Sequence, residues 1–158
     1  MNRRIQHGAI RATVTLAAIG MALGVASAVG ASSATVTRGD VHAFATGTGL
    51  GIAGNAQMIR TADGKTIVTV QVEGLAANTA YGSHVHQQAC GVGEADGHFK
   101  FDPAGPATPP NEIWPAFTTN AAGKGNGFAS VSGTAGPNAV SVVIHAPGGA
   151  KIACADLD

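Results

Sequence analysis

Two runs of alternating residues, joined by an Asp-Gly pair, constrain the fold more than any other feature of this chain. The runs are Gly54–Arg60 and Thr66–Val72, and Asp63-Gly64 lies between them. Asp-Gly between two such runs is a strong signal for a β-hairpin. In the second run the three valines share one face, while Ile67 and Thr69 share the other. The pattern predicts two antiparallel strands.

The rest of the chain after residue 28 repeats this arrangement of short runs and turns. No window outside the N-terminal segment has a helical period, and the chain contains 23 glycines. Ala89–Gly97 is predicted to be a glycine-rich loop, and the prolines of Asp102–Pro110 exclude that segment from a sheet interior. Further strands are predicted at Val36–Thr46, Tyr81–Gln87, Ile113–Thr119, Gly127–Gly133, Ala139–His145 and Ala150–Ala155. We expect one all-β domain, a barrel or a sandwich.

Residues 1–28 have the three parts of a secretory signal peptide. Arg3, Arg4 and Arg11 make the start basic, Ala12–Val25 is apolar, and Ala26-Ser27-Ala28 has the small residues of a cleavage site. The alternative is a membrane anchor, but the apolar run is shorter than the about 20 residues of a full span. We therefore expect an exported protein, either secreted or held in a cell-envelope or periplasmic space. Residues 29–158 would form its domain, with no membrane span after cleavage.

Cleavage would also change the charge of the protein. The whole chain has nine basic and nine acidic residues, so its net charge is zero. Losing the three arginines of the first 28 residues leaves six basic residues against nine acidic ones, a net charge of about −3. Because no basic patch or run of charge is present, we expect neither nucleic acid nor an anionic membrane as a partner.

Cys90 and Cys154 are the only cysteines. In an exported protein a single pair predicts one disulfide, and two cysteines allow only one connectivity. The alternative is two free thiols. The ring closed by the disulfide would be long, and chain entropy predicts a stabilisation of about 4 kcal/mol.

Histidines are the residues that point to chemistry. His84 and His86 are separated by one residue on a predicted strand, which places both rings on one face. Imidazole suits copper and zinc, although an isolated pair can be an ordinary polar strand face. His98 follows the glycine-rich loop and His145 ends a strand, where ligands commonly lie, although a lone histidine there can also be purely structural. His42 is predicted to be a solvated residue of the first strand.

The order of these motifs resembles the copper/zinc superoxide dismutase family over roughly residues 36–158. The elements are Gly74-Leu75, His84-Val85-His86, Cys90, Gly97-His98-Phe99, Val142-Val143-Ile144-His145 and Ile152-Ala153-Cys154. The resemblance implies a Greek-key β-barrel or sandwich of the copper/zinc superoxide dismutase type. It also implies that His84, His86, His98 and His145 are copper ligands, that superoxide anion is the substrate, and that Cys90 and Cys154 match the family's disulfide.

Three departures from the family pattern suggest its copper-only branch. No histidine lies between His98 and His145, so zinc is not expected, and Asp102 and Glu112 would be poor substitutes for the missing ligands. The charged loop before the last cysteine is reduced to the short segment 146–153. Lys151 stands where the family has its active-site arginine, which keeps the charge but loses the planar fork. Glu112 is the candidate partner for the outer nitrogen of His98; the alternative is a plain surface acid.

The resemblance thus implies an enzyme, a copper-dependent superoxide dismutase in which His98 and Lys151 take part in catalysis. A non-enzymatic exported protein that binds or delivers copper is the alternative that uses the same histidines. A cupin-like metal enzyme would require a glutamate soon after the histidine pair, whereas the next carboxylate, Glu94, is too distant. An adhesive β-sandwich without metal would leave the order of the histidines and cysteines unexplained. The oligomeric state stays open.

Overall fold

Eight strands make up nearly all the regular structure of residues 33–158, the part of the chain that this computed structural model describes. The predicted signal peptide, 1–28, lies outside the described residues. Within the described part, no helix has the length and apolar character needed to cross a membrane. The strands are β1 Thr35–Ala43, β2 Ala53–Arg60, β3 Lys65–Glu73, β4 Ala80–His86, β5 Phe117–Thr118, β6 Gly125–Ser132, β7 Ser141–His145 and β8 Lys151–Asp156.

The strands form one antiparallel sheet that curls into a nearly closed barrel, in the order β5-β4-β7-β8-β1-β2-β3-β6. β1, β2 and β3 follow one another as neighbours, whereas the chain crosses the barrel between β3 and β4 and again between β6 and β7. This arrangement is consistent with a Greek-key barrel or sandwich, so the predicted all-β fold class is confirmed.

The predicted hairpin around Asp63-Gly64 is also confirmed. β2 and β3 pair in antiparallel register from Ala53 with Glu73 to Arg60 with Thr66. Gly64 has a φ of 80°, a left-handed conformation that glycine adopts without steric cost. The valines of β3 are buried in the barrel, while Ile67 and Thr69 are half-buried, as the alternation indicates.

Three predicted strands are shorter than expected; β7 only begins two residues late, at Ser141, whereas the other two differ in their course. The first strand ends at Ala43, and Ala45–Gly47 forms a 3₁₀ turn that crosses over β8, where the Phe44 N–H donates to Ile152 O. The run 113–119 contributes only β5, because Pro115 cannot donate to a ladder and Ile113 before it is buried in irregular backbone. In both places apolar character reflects burial in a loop rather than a strand.

The segment before β5 packs against glycines of β6. A Cβ added at Gly127 would collide with the carbonyl oxygen of Pro115, and one added at Gly125 would collide with the ring of Phe117. These glycines therefore let residues 115–117 approach the inner face of β6. The same segment begins at Glu112, which lies beside the histidines described below.

We predict that Gly127→Ala destabilises the protein, because the added methyl group must displace Pro115 or the strand. Overpacking of this kind typically costs about 1–3 kcal/mol. Urea unfolding measures the loss, and Gly91→Ala is the matched control, since a Cβ there meets nothing within 4 Å. Equal stability of the two variants would contradict the packing described for Gly127.

Candidate metal centre

The four histidines singled out in the sequence lie together in the structure. His84, His86, His98 and His145 each offer a ring nitrogen, and these nitrogens all lie within 4.8 Å of one another. Their ring centroids are separated by 4.1 Å at the closest, between His84 and His98. The group can hold a metal ion. His42 is exposed and lies outside this cluster, as predicted.

Backbone pairing explains how residues so far apart in sequence converge. β4 and β7 are antiparallel, and Gly82 lies opposite His145, so His145 comes beside the strand that carries His84 and His86. A register shift between β7 and β8 at Ile144 and His145 marks a local irregularity, a feature that commonly re-aims a side chain.

The segment carrying His98 is held against the far edge of β4. The Phe99 N–H donates to Val85 O, and the Gln87 N–H donates to Gly97 O. Val85 itself points into the barrel core, opposite the histidines that flank it. The predicted alternation of His84, Val85 and His86 across the strand is therefore confirmed.

Hydrogen bonds to backbone carbonyls on the outer side of the cluster fix two of the rings. His86 Nδ1 lies 3.1 Å from Asp96 O and His145 Nδ1 lies 3.0 Å from Gly149 O. A carbonyl oxygen only accepts, so each Nδ1 carries the proton and a neutral ring leaves a lone pair on Nε2. These two Nε2 atoms face each other at 3.4 Å. Two lone pairs at this distance repel unless a cation lies between them.

His84 differs from His86 and His145 in that its Nδ1 has no carbonyl partner. Its Nδ1 is buried and has no hydrogen-bond partner. An unpaired buried polar atom costs free energy, and a metal ion would satisfy it. The donor set of four imidazoles therefore fits a metal ion that binds imidazole.

His84, His86 and His145 are held in the neutral form that binds metals. Burial, followed by the charges of His98 and His145, lowers the pKa of His84 and of His86 from 6.5 to about 3. Burial also lowers the pKa of His145. At neutral pH these rings do not need to lose a proton before they bind a metal.

Glu112 lies behind His98 as a buried carboxylate with 1% of its surface exposed. Its Oε2 accepts hydrogen bonds from His98 Nδ1 and from Trp114 Nε1, each 2.7 Å long. Burial raises its pKa, but the bonds from Trp114 and His98 outweigh burial and hold the pKa below its usual value. The predicted pairing of Glu112 with His98 is confirmed, and the alternative of a surface acid is wrong.

Trp114 is a residue of the centre that the sequence reasoning missed. Its ring meets the ring of His84 edge to face, with centroids 5.1 Å apart. A signal was available, because Trp114 is the only tryptophan of the chain and follows Glu112 by two residues. Asp102, the other acid considered near the site, is exposed and is not part of the histidine cluster.

Cys90 and Cys154 form the predicted disulfide, with their Cα atoms 5.8 Å apart. The alternative of two free thiols is wrong. The disulfide ties the glycine-rich loop to β8, and the Cys90 N–H also donates to Asp156 Oδ1. Because Cys90 is oxidised, its proximity to His42 and Asp156 does not form a thiolate site.

Lys151 contacts the same loop. Its ammonium donates to Glu94 O and Asp96 O, each at 2.7 Å. Four consecutive residues, 93–96, have φ between 51° and 64°, and three of them are not glycine. The lysine and His86 therefore bind the carbonyls of a left-handed turn. The positive charge of Lys151 also contributes to the lowered pKa values of His86 and His145.

Comparisons with known proteins returned no match, either to a protein-family model or to a curated protein.

The lowered pKa values predict how the metal-free protein responds to acid. The unfolded chain takes up protons on these histidines below pH 6.5, whereas the folded state does not until about pH 3. Stability therefore falls as the pH drops through this range, by on the order of 2 kcal/mol for His86, which is fully buried, between pH 7 and pH 5, and by less for the partly exposed His84. Urea unfolding of the metal-free protein measures it, with His42→Gln as the control variant. Equal stability at pH 7 and pH 5 would contradict the neutral cluster.

Proposed function

We propose that the protein is a copper-dependent superoxide dismutase that works without zinc. The observation that carries the proposal is the convergence of four imidazole nitrogens, with the Nε2 atoms of His86 and His145 only 3.4 Å apart. Imidazole favours copper and zinc over the harder metals, and zinc has no redox chemistry. When bound, copper supplies the one-electron chemistry that converts two superoxide anions and two protons into O₂ and hydrogen peroxide.

The order of motifs that resembles copper/zinc superoxide dismutase supports this proposal, and Glu112 supports the copper-only form. In the zinc-containing relatives the nitrogen of the bridging histidine that faces away from copper binds zinc. In this chain the corresponding nitrogen, His98 Nδ1, is bonded to the carboxylate of Glu112. The carboxylate keeps a proton on Nδ1 and so leaves Nε2 of His98 free for the metal.

A cleft of about 470 Å³ gives access to the cluster, and its lining includes His84, His98, His145 and the turn Ala146–Gly149. Apart from the histidines, no residue of this lining is ionisable. A small anion would therefore be attracted by the metal itself and by the nearby charge of Lys151, which acts through the field rather than by contact. We accordingly propose a lower rate than in relatives that have a charged loop.

Copper binding or delivery without turnover is the second candidate. The position of the Lys151 ammonium favours it, because both carbonyl bonds direct the charge to the turn at 93–96. A lysine held in this way is a weaker anion guide than a free cation. Both candidates use the same metal site and assume that the protein is exported. Neither requires nucleic acid or a membrane as a partner.

The first experiment measures metal content and superoxide turnover after the protein is reconstituted with copper and zinc together. We expect one copper per chain, little zinc and copper-dependent activity. His98→Ala should lose most of the activity, whereas His42→Ala, the exposed control, should keep it. Copper without turnover would favour delivery, stoichiometric zinc would contradict the copper-only form, and failure to bind copper would refute both functions.

A second experiment tests the charge of Lys151. We expect Lys151→Ala to lower the rate with superoxide by about tenfold at low ionic strength and to weaken its dependence on salt. Lys65→Ala removes an exposed charge from the β2–β3 hairpin and serves as the control. If the rate and its salt dependence matched those of the unsubstituted protein, the role of Lys151 would be limited to its hydrogen bonds to the turn.

A further inference from the structure

Trp114 contacts His84 directly and is connected to His98 by hydrogen bonds through Glu112. Its indole N–H donates to Glu112 Oε2 at 2.7 Å, the same oxygen that accepts from His98. Its ring lies against His84 at an interplanar angle of 64°. One side chain therefore connects the first and third histidines of the cluster.

The carboxylate of Glu112 needs both of its donors. It is buried, and its second oxygen, Oε1, has no hydrogen-bond partner. The two bonds at Oε2 are therefore the only ones that the described residues provide for this charge. Removing one donor would leave a buried carboxylate with a single bond and greater freedom to rotate.

The backbone around Trp114 is fixed at both ends. The Val85 N–H, between the two histidines of β4, donates to Ile113 O. Ile113 is fully buried, and Pro115 lies against Gly127 of β6. The indole is thus carried by a segment that is bonded to the strand bearing His84 and packed against the opposite strand.

We propose that Trp114 is a positioning residue of the metal centre. Its N–H holds the Glu112 carboxylate in the orientation that fixes His98, and its ring limits the rotation of His84. The role concerns the geometry of the ligands, and it rests on the proposed function only for the identity of the metal. The structural part of the proposal can be tested in metal-free protein.

The first test is nitrogen-15 NMR of the histidine rings in the metal-free protein. Trp114→Phe keeps a ring beside His84 but removes the N–H. We expect the His98 Nδ1–H proton to exchange with solvent roughly tenfold faster in this variant, because its acceptor is no longer fixed. Phe128→Leu replaces an aromatic side chain that is 64% exposed and is the control. Unchanged exchange in Trp114→Phe would overturn the proposal.

The second test asks whether Trp114 acts through Glu112. The Cu(II) EPR spectrum is recorded for Trp114→Phe, Glu112→Gln and the double variant. As a single substitution, Trp114→Phe should change the copper hyperfine splitting. It should add little further change when Glu112 is already replaced. Equal, additive changes would overturn the coupling. If the unsubstituted protein takes up no copper, the proposed function fails, while the NMR result still decides the role of Trp114.

Discussion

The candidate metal centre depends on bringing four histidine rings together while His84, His86 and His145 stay neutral. The Nε2 atoms of His86 and His145 face each other at 3.4 Å, and Nδ1 of His84 is buried without a partner. Such an arrangement is unfavourable in the absence of a cation, so the surrounding protein must hold it. Carbonyl oxygens at the outer nitrogens of two rings, and the carboxylate of Glu112 at a third, provide that restraint.

A strained loop provides one of these carbonyls. Residues 93–96 form a left-handed turn, a conformation that costs about 1–2 kcal/mol for each residue with a side chain. The turn directs the carbonyls of residues 94–96 towards Lys151 and His86. The disulfide from Cys90 to β8 shortens the free loop and offsets part of this cost. Lys151 thus has a clear structural role whatever its effect on an incoming anion.

The parts of the molecule that follow a local rule could be predicted from the sequence. Strand periodicity and the Asp-Gly turn predicted β2 and β3, and the spacing of His84 and His86 predicted rings on one face. The pairing of the two cysteines followed from their number. The contact between Trp114 and His84 could not be predicted, even though a single tryptophan close to Glu112 was a signal, because the contact depends on how residues 112–117 pack between β4 and β6. The 3₁₀ turn at Ala45–Gly47 has the same origin, since it is set by contact with β8.

The short turn Ala146–Gly149 has a consequence for selectivity by size. It forms one wall of a cleft of about 470 Å³, a volume within the range of pockets that bind small organic molecules. A metal ion held by the histidines is therefore within reach of bidentate chelators and organic reductants as well as diatomic anions. Retention of such a metal against chelators would then depend on the affinity of the four histidines, because the residues that line this cleft leave it open to solvent.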